Sequence, residues 1–186
     1  MGTQNRILNC IVAALLATVM FSLPLAAEEG RLERLFAQLQ EADPADARRI
    51  SGEIELELSK SGSASADLLL KRGSDALEAG DVEAAIEHLT ALTDHAPDFA
   101  EGWHMRAMAY AEAELFGPAV ADLERALSIE PRHYHAIASL GGILAQVDRP
   151  DMAKRAFEEV LAIYPGYQDV IEALEHVERQ IGGSTL

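Results

Sequence analysis

Apolar side chains recur along this chain at intervals of three and four residues, the spacing that gathers them on one face of an α-helix. Over residues 169–181, Val170, Ile171, Leu174, Val177 and Ile181 make a stripe, while Glu172, Glu175, Glu178 and Arg179 fall opposite. Breakers cut the pattern into short pieces. Ala79-Gly80-Asp81, Leu115-Phe116-Gly117-Pro118 and Asp148-Arg149-Pro150-Asp151 read as turns, and Pro97, Pro131 and Pro165 as stops. The spacing predicts three antiparallel helix pairs, over Asp67–Ala79 with Val82–Asp94, Glu101–Ala113 with Pro118–Ile129, and His135–Val147 with Asp151–Ile163. A further helix is expected over Asp169–Ile181. Upstream, Leu32, Leu35, Phe36 and Leu39 predict a helix over Glu29–Glu41. Asp43-Pro44 then reads as an N-cap and first-turn proline, opening a helix that presents Ala47, Ile50, Ile54 and Leu58. Aromatics are only 5% of the chain, and dense Val and Ile occur only near the N-terminus, so the expected class is all-α.

Laid against itself, the chain repeats every 34 residues. Pro97, Pro131 and Pro165 form one column and Ala85, Ala119 and Ala153 another. Leu89, Leu123 and Phe157 make a third, and Gly73, Ala107 and Gly141 a fourth. The small columns let paired helices approach closely, and the large apolar column is expected to fill the gap between successive pairs. Each proline stops a second helix, because it lacks an N–H and biases the preceding residue away from helical angles.

These columns resemble the tetratricopeptide repeat, whose pattern of Trp, Leu/Gly, Tyr, Ala, Phe, Ala and Pro is met in the second unit by Trp103, Ala107, Tyr110, Ala119, Leu123, Ala126 and Pro131. The first unit departs most, with Leu69, Ala76 and Leu92 at the Trp, Tyr and second Ala places. The resemblance spans about Ala66 to Tyr167. It implies a helical-repeat solenoid with units at 66–99, 100–133 and 134–167, a capping helix at 168–181 and a disordered tail at 182–186. Residues 28–60 are expected to form a helical hairpin, either an N-terminal cap or a degenerate fourth repeat, joined by a flexible link at 61–65.

The first 27 residues carry Arg6, an apolar run from Ile7 to Phe21, Pro24, and the small pair Ala26-Ala27. That order is the layout of a cleavable export signal, with the cut expected after Ala27 and a periplasmic destination. The alternative is an uncleaved inner-membrane anchor facing the periplasm. Cys10, the one cysteine, lies early in the apolar run, so a processed chain has no thiol for disulfides, catalysis or metal binding. Through this segment, the Leu32–Phe36 helix and the Ser61-Gly62-Ser63 link before Asp67-Leu68-Leu69-Leu70, the chain also resembles small exported repeat proteins of Gram-negative bacteria, particularly alphaproteobacteria.

The formal net charge is −16, which repels phosphate backbones and anionic lipid heads and excludes nucleic acid as an expected partner. The resemblance implies that the first helix of each pair lines a concave face. Its inward columns are Asp67, Glu101 and His135; Leu70, His104 and Ala138; Ser74, Met108 and Gly142; and Glu78, Glu112 and Gln146. Leu70, Leu77, Met105 and Met108 are expected along the floor, where methionine adapts to varied ligands. The expected ligand is an extended or helical segment bearing Lys or Arg, held by Asp67, Glu78, Glu101 and Glu112. Relatives that grip a C-terminal carboxylate use Lys, Arg and Asn at places where this chain has Leu70, Ser74, Met105, His135 and Ser139, so that clamp is missing.

Other chemistry finds little footing. His104, Met105 and Met108 with His133 and His135 form the one set suggestive of copper, but groove-lining and helix-start roles account for them, so no metal or other cofactor is expected. There is no Gly-x-Ser-x-Gly elbow, phosphate loop or His-Glu-x-x-His, and the adjacent Glu158 and Glu159 point apart on a helix. The reading is a non-catalytic scaffold or adaptor that binds a protein or peptide. A self-associating envelope protein, forming a homodimer, is the alternative.

Overall fold

The computed structural model describes residues 30–183. The expected export segment, with Cys10 and its cleavage site, lies outside these residues. Among the described residues every regular element is a helix, and none is long and apolar enough to cross a membrane. Helix α1 covers 30–41 and α2 Pro44–Leu58, which opens on Asp43 accepting from the N–H groups of Ala45 and Asp46 at 2.9 and 3.0 Å. The repeats follow as α3 (Ala64–Glu78) and α4 (Val82–His95), α5 (Ala100–Glu112) and α6 (Phe116–Ile129), then α7 (Tyr134–Gln146) and α8 (Pro150–Ile163). Helix α9 runs from Gln168 to Gly183, so the first two residues of the expected tail are helical, and 184–186 lie outside the described residues.

The three prolines occupy equivalent corners. The residues before them, Ala96, Glu130 and Tyr164, have φ of −131°, −126° and −128°, the extended backbone that a following proline imposes. Each accepts a bond at 3.1–3.2 Å from the N–H three places on, in Phe99, His133 and Tyr167. A second column is also equivalent. Gly80, Glu114 and Asp148 all adopt positive φ, at 72°, 59° and 58°, where the first helix of each pair ends. The following residues, Asp81, Leu115 and Arg149, donate back across the last turn to the carbonyls of Ala76, Tyr110 and Leu144 at 2.8–2.9 Å, the Schellman closure.

Inside each pair, the small column meets the large one. A Cβ added to Gly73 would lie 2.5 Å from Leu89, and one added to Gly141 would lie 2.6 Å from Phe157. The large column thus fills the hollow that a residue without a side chain leaves on α3 or α7, and it also faces the next pair as expected, since Leu89 shares a core with Phe99 and Ala109, and Leu123 with Ala136 and Ile143. Successive pairs stack, and α3, α5, α7 and α9 also touch one another in sequence, which places the first helices on the inner side of the curve.

The 61–65 link is shorter and more ordered than expected. Ala64 and Ser65 already belong to α3, and Asp67 accepts from the N–H and hydroxyl of Ser61 at 3.1 and 2.5 Å while Gly62 takes φ 73°. The N-terminal hairpin does not put its apolar face on the first repeat. Leu35, Phe36, Leu39, Ala47, Ile50 and Ile54 share a core with Tyr134, Ile137, Phe157, Tyr164 and Val170, from the third repeat and the capping helix. Phe36 meets Tyr134 edge-on at 6.4 Å beneath Arg132, whose guanidinium lies 4.5 Å over its ring. Gln40 donates to the carbonyl of Ala162 at 3.0 Å, and Arg132 pairs with Glu33 at 2.8 Å.

Candidate functional site

The inner helices hold two adjoining hollows. One, of about 370 Å³, is lined by Leu77 of α3, by His104, Met105 and Met108 of α5, by His135, Ala138 and Ser139 of α7, and by Tyr167. The other, about 270 Å³, is lined by Met108, Ala111, Glu112, Ser139, Gly142, Ile143 and Gln146. Met108 and Ser139 border both, so the two make a continuous groove across α5 and α7. Met108 is 40% exposed there, an apolar side chain left facing solvent. Leu77 and Met105 are half-buried and pack into the first-repeat core as well, so the floor is rigid where the core supports it.

The structure gathers Leu77, His104, Met105, Met108, Glu112, His135, Ala138, Ser139, Gly142 and Gln146 along this groove. Asp67, Leu70, Ser74 and Glu78 line neither hollow. Asp67 closes the turn with Ser61, and Leu70 packs partly into the first-repeat core. Glu78 is exposed at the end of α3, and neither it nor Glu112 makes an ion pair among the described residues.

Glu101 differs from the other expected groove acids. Its side chain is 18% exposed, and one oxygen, Oε2, lies 2.7 Å from His133 Nε2 and 3.3 Å from His104 Nδ1. Burial alone would raise its pKa, but the hydrogen bonds from His104 and His133 outweigh burial and hold it at about 2. His104 reaches Ser139 Oγ through Nε2 at 3.3 Å, and Ser139 Oγ lies 3.2 Å from Met108 Sδ. His133, fully buried, accepts from the Ala136 N–H at 3.3 Å and so caps α7. In the third repeat the same two places again pair: His135 Nδ1 lies 3.2 Å from the Tyr167 hydroxyl, while His135 Nε2 meets Glu55 of α2 at 3.0 Å.

Phe99, His133 and Tyr167 form a ring-bearing column at the same period that the sequence reading passed over, because three unlike side chains do not register as a repeat. The buried pair of Arg106 and Asp122 was also missed. Arg106 reaches both carboxylate oxygens at 2.7 and 2.8 Å and Thr93 at 2.8 Å, with its guanidinium 4.8 Å over Trp103. It ties α4, α5 and α6 together behind the groove rather than lining it.

The tetratricopeptide repeat pattern matches residues 100–133, the second helix pair. A TPR repeat-containing protein of Rhizobium etli is 34% identical over 155 residues, covering 83% of this chain and 76% of that protein. Among solved structures, the first TPR of Spaghetti (RPAP3), bound to an HSP90 peptide, superposes with a TM-score of 0.63 at 22% identity, covering 64% of this chain and 95% of that one. The Sgt2 TPR domain of Aspergillus fumigatus also gives 0.63, at 24% identity over 66% of this chain and 83% of its own. At those identities the structures speak for the fold alone. With three equivalent proline corners, the small-on-large packing and a relative matched over most of its length, the chain belongs to the tetratricopeptide repeat proteins.

Proposed function

We propose that this protein is a non-catalytic interaction module of the bacterial periplasm, which holds a segment of another polypeptide in the groove between α3, α5 and α7. The observation that carries this is the continuous hollow floored by Leu77, Met105 and Met108 and edged by Glu112 and Gln146. An apolar floor with acidic edges suits a segment that alternates apolar side chains with Lys or Arg. Glu112 supplies the charge recognition at the hollow, and the exposed Glu78 at the end of α3 extends it beyond the hollow. Glu101 does not contribute, because its carboxylate is committed to two histidines. The RPAP3 domain of the same fold was solved with an HSP90 peptide, which supports a peptide-carrying role. The basic clamp for a terminal carboxylate is replaced here by Leu70, Ser74, Met105, His135 and Ser139, so the ligand chemistry differs. The periplasmic address rests on the order of Arg6, the Ile7–Phe21 run, Pro24 and Ala26-Ala27.

Peptide arrays of alternating apolar and basic residues test the groove. Wild-type protein is expected to bind them, and Glu78→Lys with Glu112→Lys, or Met108→Glu alone, to abolish binding at low ionic strength. Equal binding by wild type and both variants contradicts the reading. The self-association alternative has less support, since the outer face of the last helix presents Glu172, Glu175, Glu178 and Arg179.

A further inference from the structure

Among the described residues, one group of metal-ligating side chains converges at the edge of the groove, sharing His104 with it. Glu101, His104 and His133 bring one ligand atom each to within 4.8 Å of one another, at the seam between the second and third repeats. We infer that these three side chains form a binding site for a divalent cation of the zinc class. Two imidazoles and a carboxylate are a donor set that zinc accepts, leaving a fourth position for water or another ligand.

Three features of the seam favour ligation over a chance meeting of polar groups. The carboxylate oxygen Oε2 faces both rings at once, 2.7 Å from His133 and 3.3 Å from His104, so a single point lies close to all three donors. Tetrahedral zinc with bonds of about 2.0–2.1 Å sets its ligands about 3.4 Å apart, which the His104 contact already meets and which the shorter His133 contact reaches by opening as the proton between the two atoms gives way to the ion. His104 turns its other nitrogen to Ser139 Oγ at 3.3 Å, the outer-shell partner that fixes the tautomer of a ligating imidazole. His104 and Ser139 also line the 370 Å³ hollow, so the ring that would hold the ion through Nδ1 borders the groove on its far, Nε2 side.

The metal-free state has its own signature. His133 Nδ1 accepts from Ala136 N–H, so its proton sits on Nε2, facing Glu101. Ligation through Nε2 moves that proton to Nδ1 and gives up the cap. At 3.3 Å that cap is the longest such bond among those made by Asp43, Asp81 and His133.

The test is a titration of the chelator-treated full-length chain with Co²⁺, followed by Zn²⁺. The expected result is one Co²⁺ per chain with an intense visible d–d band, displaced by Zn²⁺. Glu101→Gln and His133→Asn are expected to lose the band. Ser139→Ala is expected to weaken Zn²⁺ binding by about 10–100-fold. Replacing His88, His95 and His176 together is expected to leave the stoichiometry unchanged. Should the seam variants fail to fold, imidazole nitrogen shifts of the wild type decide: Zn²⁺ should move the His133 proton from Nε2 to Nδ1. Absence of the band, a His133 tautomer unmoved by Zn²⁺, or binding that survives in folded Glu101→Gln overturns the site and leaves a hydrogen-bonded clasp.

Discussion

The first and third repeats share one backbone and have opposite surroundings. In the third, His135 is engaged on both sides, by Tyr167 and by Glu55 of the N-terminal hairpin, and six apolar residues of that hairpin complete its core. In the first, the equivalent Asp67 has Phe99 where a hydrogen-bonding ring would stand, and it turns instead to Ser61. The second repeat lies between, with Glu101 bonded to His133 and the hairpin touching only its end, through Arg132 on Glu33 and Phe36. The lesson is that the 34-residue period fixes which positions meet, while the side chains at those positions decide whether the meeting is a clasp, a cover or an open edge. The array is fastened at its C-terminal end and open at its N-terminal end.

That contrast can be broken at its strong end. Phe36→Ala empties a buried site between Tyr134 and Arg132 and should cost about 3–5 kcal/mol in urea denaturation. Acid tests the clasp. The Glu101 pKa is depressed from 4.5 to about 2, so its contribution is complete above about 4.5 and is lost as pH falls through about 2. The loss should be on the order of 3 kcal/mol in wild type, and the acid limb of the stability curve should flatten in Glu101→Gln.

Two adjacent glycines sharpen the packing argument. Gly141→Ala drives a methyl into Phe157 and should cost about 1–3 kcal/mol, whereas Gly142→Ala meets nothing within 4 Å and should gain up to about 1 kcal/mol of helix propensity. Thermal unfolding of the two variants side by side checks the opposite signs. The smallest effect belongs to the turns: Glu114→Gly relieves a positive φ that Gly80 already satisfies in the first repeat, and should stabilise by about 1 kcal/mol in the same assay.

Much of this architecture was legible in the sequence, for a physical reason. Pro97, Pro131 and Pro165 restrict the backbone at their own positions and the one before, so their recurrence forces equivalent corners whatever the neighbours are. Gly73 and Gly141 likewise state where helices touch. The docking of the hairpin was not legible, because the stripe of Leu35, Phe36, Leu39, Ile50 and Ile54 announces a buried face without naming what buries it. Most of the groove could be read from the inward columns. The seam could not, since Glu101 and His133 are 32 residues apart and meet only when α7, which His133 caps, packs against α5. Glu101 reads in the sequence as a groove acid free to hold a Lys or Arg of a ligand, because nothing within its own helix shows the ring that takes it up.

Hydrogen exchange resolved by helix measures the central asymmetry most directly. The account predicts that α1 and α2 are protected together with α7 and α8, and that α3 and α4 open first and independently. Free exchange in α1 and α2 while α7 and α8 stay protected would contradict it.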